Sequence, residues 1–311
     1  MKAVRIHAFG DASVLRLEDV PMPVPTNDDL LVKLMASAVN PIEWKIRSGM
    51  MKQALGRDLP VTFGWACAGV VEAVGPAATT FHVGDEICAY PEFTRGGTHA
   101  EFVLIGEAQA ALKPSNLSFV QASAVPMTSQ AAWTALEAAE VQPGERVLIH
   151  GAAGAVGHWL IQLAKEKGAY VIATASGQGC EDVRALGADQ AIDYRTDRFE
   201  DAGKVDVVFD LIGAETQARS WAILGAGGRL VSTAMPPDAA KGEAIGVKGV
   251  FVFTPPSGQI LAQIVERIDA GHLKPLPVGR ELAFKDAAEA HRLGESGKAG
   301  GKMVMIPGNP Q

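Results

Sequence analysis

The stretch from Val147 to Gly157 reads VLIHGAAGAVG, an apolar run that passes into small residues. The apolar run is typical of a buried strand, and the glycines indicate a tight turn that leads into a helix. Against the pattern GxGxxG, Ala152 stands at the first glycine position, Gly154 at the second and Gly157 at the third. A glycine at the second position lets the backbone approach a pyrophosphate, and one at the third lets the helix pack closely on the strand. The stretch therefore predicts a strand, a turn and a helix that bind a dinucleotide.

The beginning of this helix is the expected contact for the pyrophosphate. A helix N-terminus offers unbonded N–H groups and the positive end of the helix dipole, and both attract an anion. The pattern places Gly154, Ala155 and Val156 at that point. We therefore expect these three residues to bind the cofactor.

Around this unit, continuous apolar segments alternate with alanine-rich stretches of helix length, which is the pattern of parallel strands joined by helices. The predicted strands are Arg146–His150, Tyr170–Thr174, Gln190–Tyr194, Val205–Leu211, Arg229–Thr233 and Val247–Phe253. The predicted helices are Val120–Ala139, Val156–Glu166 and Glu181–Leu186. Six strands with such crossovers predict an α/β fold with a doubly wound parallel sheet.

The regions on either side of this sheet have a different texture. The region before it contains short β-segments between turn residues, the clearest being Lys2–His7, Leu30–Ala38 and Gly69–Val74, which predicts a barrel or sandwich. The tail is expected to pack back on that first domain, with helices at Gln259–Ala270 and Phe284–Leu293 and a strand at Lys302–Ile306. The predicted division of the chain is therefore 1–117, 118–256 and 257–311.

The composition is that of a soluble globular enzyme, with 48% hydrophobic and 20% charged residues among 311. A net charge of -7 leaves no basic surface for nucleic acid. The three scattered cysteines, Cys67, Cys88 and Cys180, indicate neither a disulfide framework nor a metal cluster and fit a reducing, cytoplasmic location. No apolar run approaches the length of a membrane span, so no membrane contact is predicted.

The end of the second strand of the parallel sheet favours one nucleotide over the other. Sites that prefer NAD place an acidic residue there to bind the ribose 2′-hydroxyl, whereas this chain has Ser176. Tyr194 and Arg195 end the next predicted strand and could reach a 2′-phosphate. The sequence therefore favours NADP(H), with Arg195 as an ordinary solvated charge in the alternative interpretation.

Further motifs lie outside the glycine turn. They are NPIEWKIRSG at Asn40–Gly49, GGTHAEF at Gly96–Phe102, LGAD at Leu186–Asp189, and the pair Ala290-His291. Together with the glycine turn they resemble the zinc-independent quinone oxidoreductases of the medium-chain dehydrogenase/reductase superfamily, the group that includes zeta-crystallin. The resemblance covers nearly the whole chain. It implies a GroES-like β-barrel catalytic domain and a Rossmann domain, with the active site in the cleft between them.

The resemblance also bears on metal. Zinc-containing members of the superfamily hold their catalytic zinc with Cys, His and a further Cys, and the resemblance places Asn40, Trp65 and the segment around Pro126 at those positions. None of these is a zinc ligand. His99 and His150 have no cysteine or carboxylate at ligand spacing in the sequence, so they are interpreted as structural. We expect no metal site.

A site without zinc restricts the chemistry. Reduction of a simple ketone builds an alkoxide that needs a Lewis acid or a strong proton donor, whereas a quinone or an α,β-unsaturated carbonyl spreads the charge over a conjugated system. The resemblance implies that NADPH transfers hydride to such an acceptor. The expected partners are therefore a cofactor and a small-molecule quinone or enone.

The resemblance implies roles for residues matched by position. Asn40 would orient the carbonyl of the acceptor. Lys45 would donate a hydrogen bond or a proton, unless it is an ordinary surface lysine. The residues expected beside the nicotinamide end of the cofactor are Thr128, Gly213, Thr233, Phe251, Phe253 and Lys302.

Three departures from the family pattern leave alternatives open. Ala66 stands where the family commonly has an acid, and Glu43 replaces the usual Asp. Cys180 stands where a Lys or Arg often holds the 2′-phosphate, so the preference for NADPH over NADH is expected to be less strict. The alternatives are an enoyl-thioester reductase, which the net charge disfavours, and a low-turnover NADPH-binding sensor or structural protein. The apolar edge strand at Val247–Phe253 predicts a homodimer.

Overall fold

The fold was analysed in a computed structural model that describes residues 1–308 of the chain. Up to residue 139 it contains the strands β1 (Lys2–Ile6), β2 (Arg16–Asp19), β3 (Asp29–Ala38), β4 (Val61–Thr62), β5 (Cys67–Val74), β6 (Glu86–Ala89), β7 (Phe102–Gly106) and β8 (Ala110–Leu112). The helices of this part are α1 (Pro41–Arg47), α2 (Phe119–Ser123) and α3 (Pro126–Ala139).

Strands and helices then alternate. They are β9 (Arg146–His150), α4 (Ala155–Glu166), β10 (Tyr170–Ala175), α5 (Gln178–Ala185), β11 (Gln190–Asp193), β12 (Val205–Asp210), α6 (Ala214–Ser220), β13 (Leu224–Ser232), α7 (Ala239–Ala244) and β14 (Lys248–Phe251). The chain continues with α8 (Gly258–Asp269), β15 (Val278–Ala283), α9 (Ala287–Glu295) and β16 (Lys302–Ile306). None of the helices within residues 1–308 combines the length and the apolar character needed to cross a bilayer.

The chain divides into two compact units. The first unit consists of residues 1–127 together with 255–308, and the second of residues 128–254. The division after Met127 lies beyond the predicted boundary at 117/118, because Phe119 and Val120 of α2 pack against the apolar cluster of Ala36, Ala38 and Val304 in the first unit. Residues 118–127 therefore belong with the strands before them.

The second unit is an α/β fold with the predicted doubly wound parallel sheet. Its strands lie in the order β11-β10-β9-β12-β13-β14, and every neighbouring pair is parallel. Residues 147–149 of β9 are completely buried, as expected for a strand covered on both faces. The strand order reverses at β9, between β10 and β12, and ligands of such sheets bind beyond the carboxyl ends of the strands at this point. A ligand is therefore expected at the turns after β9, β10, β12 and β13.

The first unit is built on two sheets. In the smaller one β1 pairs with β2 and β4, and the larger one has the order β15-β16-β3-β5-β6-β8, with β7 also on β3. The C-terminal strand β16 joins this sheet by pairing Val304 with Ala38 and Met305 with Ser37 of β3. The tail therefore completes the sheet that carries the first unit's candidate site.

The predicted helix Val120–Ala139 was wrong, because it is two helices. Pro126 lacks a backbone N–H and disfavours a helical conformation at the residue before it, so α2 ends at Ser123 and α3 begins at Pro126. Ser118 and Gln121 begin α2 with a capping box. The predicted helix at 284–293 likewise divides into a short 3₁₀ turn and α9.

Candidate active site

The glycine turn of the second unit has the shape that its sequence predicts. The turn closes through a hydrogen bond from Gly154 N–H to the Gly151 carbonyl at 3.0 Å, and Gly154 is the N-cap of α4. A Cβ at Gly157 would lie 2.4 Å from the Ala152 oxygen, so only glycine allows the helix to pack this closely. Among residues 1–308 no side chain caps α4, and its first N–H groups remain open to an anion. This turn fits the pyrophosphate of a dinucleotide.

The ends of β10 and β11 bring together the predicted 2′-phosphate residues. The Ser176 hydroxyl donates to the Tyr194 oxygen at 3.2 Å. A Cβ at Gly177 would lie 2.7 Å from Arg195 Nη2, so the guanidinium covers that glycine. The Arg195 side chain is 58% exposed and is available to a phosphate. The hydroxyl groups and the guanidinium fit the extra phosphate of NADP(H).

Asp193 is a functional candidate that the sequence reasoning missed. The expectation that no carboxylate stands here considered only the end of β10, whereas Asp193 ends the neighbouring strand β11. Its carboxylate accepts hydrogen bonds from the backbone N–H groups of Gly177 and Arg195, both at 3.0 Å. These bonds, together with the Arg195 side chain, hold the pKa of Asp193 below its usual value. The charge of this carboxylate is therefore partly compensated within the site.

Asp210, at the end of β12, organises the next turn and was also missed. Its buried carboxylate accepts from the backbone N–H groups of Ile212 at 3.0 Å and Gly213 at 2.7 Å. The side chains of Gln217 and Ser232 donate to its other oxygen, each at 2.9 Å. An aspartate at the end of an apolar strand, shortly before a glycine, is the sequence signal that could have revealed it. Asp210 fixes the turn in which Gly213 has a φ of +84°.

The other predicted cofactor residues of the second unit also lie near strand or helix ends. Thr128 is buried and accepts a hydrogen bond from the Trp159 indole at 3.1 Å. The backbone N–H of Thr233 donates to the Asp210 carbonyl at 3.2 Å. Phe251 and Phe253, in and after the edge strand β14, are 45% and 55% exposed.

In the first unit, Asn40 and Lys302 form a direct pair. Asn40 is the buried N-cap of α1, and its Oδ1 accepts from the Lys302 ammonium at 2.5 Å. Lys302 also donates to the Val39 carbonyl at 2.9 Å, while Asn40 Nδ2 donates to the Ala38 carbonyl at 3.0 Å. Burial lowers the pKa of Lys302 to about 8. The lysine therefore fixes which way the amide of Asn40 points.

Lys45 is not part of this pair in the described contacts. It is half-buried on α1, whose fully buried residues are Glu43, Ile46 and Arg47. Its role as a hydrogen-bond or proton donor stays a prediction.

Comparisons with known proteins agree with this fold. An alcohol dehydrogenase GroES-like domain matches residues 26–115, and a zinc-binding dehydrogenase domain matches residues 186–305. The NADPH-dependent alkenal/one oxidoreductase of Arabidopsis thaliana chloroplasts is 36% identical, over 99% of this chain and 80% of its own. The quinone oxidoreductase of Rattus norvegicus is 32% identical, over 98% of both chains. The solved quinone oxidoreductase from Coxiella burnetii superposes with a TM-score of 0.91 at 32% identity, covering 98% of this chain and 99% of that one.

The chain belongs to the medium-chain dehydrogenase/reductase superfamily, in its quinone oxidoreductase branch. One of the two matching domains is named for zinc, but the side chains at the zinc positions of this superfamily have other chemistry. The Asn40 oxygen binds an ammonium group, and the Trp65 indole can only donate, here to the Phe93 carbonyl at 3.4 Å. Ala66, where the superfamily commonly has an acid, is buried in an apolar cluster. The Asn40 amide and the Trp65 indole therefore fit hydrogen-bonding chemistry and do not fit zinc.

The structure corrects the expectation that His99 lacks a carboxylate neighbour. His99 Nε2 lies 3.0 Å from Glu43 Oε2, and His291 Nε2 lies 3.5 Å from the same oxygen, with all three side chains completely buried. This trio of residue types could hold a metal ion by proximity alone. However, Arg47 can only donate, and its Nη1 lies 3.3 Å from His291 Nδ1. The proton of neutral His291 is therefore on Nε2, which excludes that nitrogen as a metal ligand.

His150 is a structural histidine, as expected. Its ring nitrogens bond the hydroxyl groups of Thr174 at 3.2 Å and Ser220 at 3.0 Å, and its ring meets Phe199 edge-on at 4.6 Å. Burial lowers its pKa to about 4, so the ring is neutral at physiological pH. His150 thus packs the carboxyl end of β9.

Proposed function

We propose that the chain is an NADPH-dependent reductase that transfers hydride to quinones and α,β-unsaturated carbonyl compounds without zinc. The observation that carries this proposal is the pair of Asn40 and Lys302 at the position where zinc relatives place a metal ligand. An amide held by an ammonium group can orient a carbonyl but cannot replace a Lewis acid. Conjugated acceptors are the class of substrate that such a site can activate.

The second unit supplies the cofactor site. The open N–H groups at Gly154, Ala155 and Val156 would hold the pyrophosphate of NADPH. Ser176, Tyr194 and Arg195 would hold its 2′-phosphate. When bound, NADPH supplies the hydride. The remaining proposed contacts near the nicotinamide end are Thr128, Gly213, Thr233, Phe251 and Phe253. Lys302 stays a predicted contact of the cofactor as well, and it also bonds Asn40 in the first unit.

The first unit supplies the group that orients the acceptor. Asn40 Nδ2 carries two N–H groups. One donates a hydrogen bond to the Ala38 carbonyl, and the second can donate to the oxygen of the substrate. Because Lys302 holds Oδ1, the amide cannot flip and present its oxygen instead. Lys45 is proposed as the proton donor on the same helix.

The edge strand β14 and the cysteines bear on the assembly and the location of the chain. The edge strand β14 carries Phe251, which is 45% exposed, and exposed strand edges favour pairing with a second copy. We propose a homodimer through this edge. Three cysteines without disulfides support a reducing, cytoplasmic location.

A substrate panel tests the proposed function. The purified protein would be assayed with NADPH and with NADH against a quinone, an enone, an enoyl thioester and a saturated ketone. We expect the quinone and the enone to be reduced, and NADPH to be preferred. Preference for the enoyl thioester would favour the thioester reductase alternative. Cofactor binding without turnover of any acceptor would favour the sensor alternative.

A further inference from the structure

A buried group of charged side chains lies at the base of α1 in the first unit. The Glu43 carboxylate, on the first turn of α1, faces His99 and His291, and all three side chains have no exposed surface. Arg47, one turn further along α1, is 2% exposed and bonds both His291 and Glu295. Burying a charged side chain costs free energy unless the charge is paired, so a buried group of this size indicates a specific role in the protein.

The hydrogen bonds fix the charge on Glu43. His291 is neutral, since Arg47 donates to its Nδ1 and burial lowers its pKa. His99 Nε2 donates to Glu43, while its Nδ1 lies 2.8 Å from the Ser37 hydroxyl. Despite burial, these partners lower the pKa of Glu43 to about 2, so the carboxylate is charged at physiological pH.

One oxygen of that carboxylate is not used by the histidines. Glu43 Oε1 is buried and has no hydrogen-bond partner among the described residues. The negative charge of Glu43 acts on the Lys302 ammonium and opposes the effect of burial by raising the lysine's pKa. In the described structure the groups that act on this region are Glu43 and Arg47 of α1, His99, His291 and Glu295 of α9, and Lys302 of β16.

The backbone links the same glutamate to Asn40. The N–H of Glu43 donates to the Asn40 carbonyl at 3.0 Å, which closes the first turn of α1. Asn40 in turn accepts from Lys302. Glu43 is therefore connected to the Asn40–Lys302 pair both through the helix turn and through its charge.

We propose that Glu43 is a positioning residue: held by the hydrogen bond from His99 and packed against His291, its carboxylate fixes the first turn of α1 beside the Lys302 contact, and so keeps the Asn40 amide oriented toward the acceptor. This inference rests on the proposed function. It explains why Glu43 is buried with two histidines although none of the three is needed to touch the substrate. A charged Lys302 must donate to Asn40 Oδ1, whereas a neutral amine releases that constraint.

The variant Glu43→Gln keeps the size of the side chain and removes its charge. We expect kcat with a quinone to fall about tenfold, because the amide is oriented less strictly. We expect the alkaline limb of the kcat/KM profile to move to lower pH by about one unit, because Lys302 loses the charge that favours its protonated form. Glu43→Asp should restore the position of the limb, and Lys302→Arg should remove the limb. Glu289→Gln, which removes an exposed carboxylate from α9, is the matched control.

A second readout does not depend on turnover. Labelling of Lys302 with acetic anhydride across pH, followed by peptide mass spectrometry, reports the fraction of free amine. In Glu43→Gln the labelling curve should move to lower pH relative to wild type and Glu289→Gln. If wild type reduces no acceptor, the proposed function fails while this shift still tests the link between Glu43 and Lys302.

The outcomes that overturn the inference are specific. A Glu43→Gln protein that melts at a lower temperature but keeps both pH curves in place shows that Glu43 only stabilises the fold. If Glu43→Gln does not fold, His291→Gln replaces it, because this variant removes the imidazole that lies 3.5 Å from the carboxylate and retains the charge of Glu43. We expect His291→Gln to lower kcat without moving the alkaline limb, and a wild-type kcat would overturn the positioning role.

Discussion

Lys302 Nζ and Asn40 Oδ1 are 2.5 Å apart, and this contact joins β16 to the N-cap of α1. Both residues lie in the first unit but are separated by most of the sequence. The contact is possible because β16 returns to pair with β3, the strand that leads directly into Asn40. The amide that we propose to orient the substrate is therefore held by a residue far along the sequence.

Removal of the Asn40 amide should be costly for turnover. We expect Asn40→Ala to lower kcat/KM for a quinone by about a hundredfold, the usual loss when one oriented hydrogen-bond donor is deleted. NADPH affinity, measured by fluorescence titration, should change little. Steady-state kinetics give the first quantity, and a loss smaller than threefold would contradict the role of Asn40.

Arg195 should decide between the two nucleotides. We expect Arg195→Ala to weaken NADPH binding about tenfold, because a charge-assisted bond to the 2′-phosphate is lost, and to leave NADH binding unchanged. Arg184→Ala is the matched control, since Arg184 is also exposed and pairs only with Glu181 on α5 among the described residues. Equal weakening of NADPH binding and NADH binding would show that Arg195 does not bind the 2′-phosphate.

Asp193 gives a prediction of opposite sign. Its carboxylate lies beside the proposed 2′-phosphate site and is only partly compensated by Arg195. We expect Asp193→Asn to tighten NADPH binding relative to NADH, because a like charge is removed while the amide oxygen can still accept from Gly177. Titration of both nucleotides measures the ratio, and a shift toward NADH would refute this assignment.

The close packing at Gly157 should make the free energy of unfolding sensitive to a larger residue at this position. A methyl group there would meet the Ala152 backbone at 2.4 Å, so Gly157→Ala should reduce the free energy of unfolding by about 1–3 kcal/mol. Gly225→Ala is the control, because no atom of the described structure lies within 4 Å of a Cβ at this position. Urea denaturation compares the two variants, and equal stability would disprove tight packing of α4 on the strand.

Glu43 should contribute to stability in a defined pH range. Its pKa is lowered to about 2 in the folded protein from 4.5, so the folded state binds fewer protons than the unfolded state between these values. The contribution is therefore complete above about pH 4.5 and is lost as the pH falls toward about 2. The difference in melting temperature between wild type and Glu43→Gln should be largest near neutral pH and shrink in acid. A difference that grows in acid would contradict a charged Glu43.

The parallel sheet was predictable because its signals are local. The apolar strand, the glycines at 154 and 157 and the alternating helices all follow from neighbouring residues, and β9 was predicted with its observed bounds, Arg146–His150. The division of the helix at Pro126 could also have been predicted from the proline, but the alanine-rich sequence on both sides favoured one continuous helix.

The buried contacts of the site were not predictable in the same way. Glu43, His99 and His291 are far apart in the sequence, and only the folding of three separate elements brings both histidines within 3.5 Å of the same Glu43 oxygen. Similarly, Asp193 ends its own strand and becomes part of the nucleotide site only because β11 pairs with β10. Contacts that depend on tertiary packing join residues at no fixed spacing in the sequence, so no sequence motif indicates them.

The most direct test of reduction without zinc is turnover by protein that has been dialysed against a strong chelator and checked for metal by elemental analysis. NADPH oxidation would be followed with a quinone and with a saturated ketone as acceptors. We predict an unchanged rate with the quinone and negligible oxidation with the ketone. Loss of quinone reduction on chelation, with recovery on addition of zinc, would contradict the proposal.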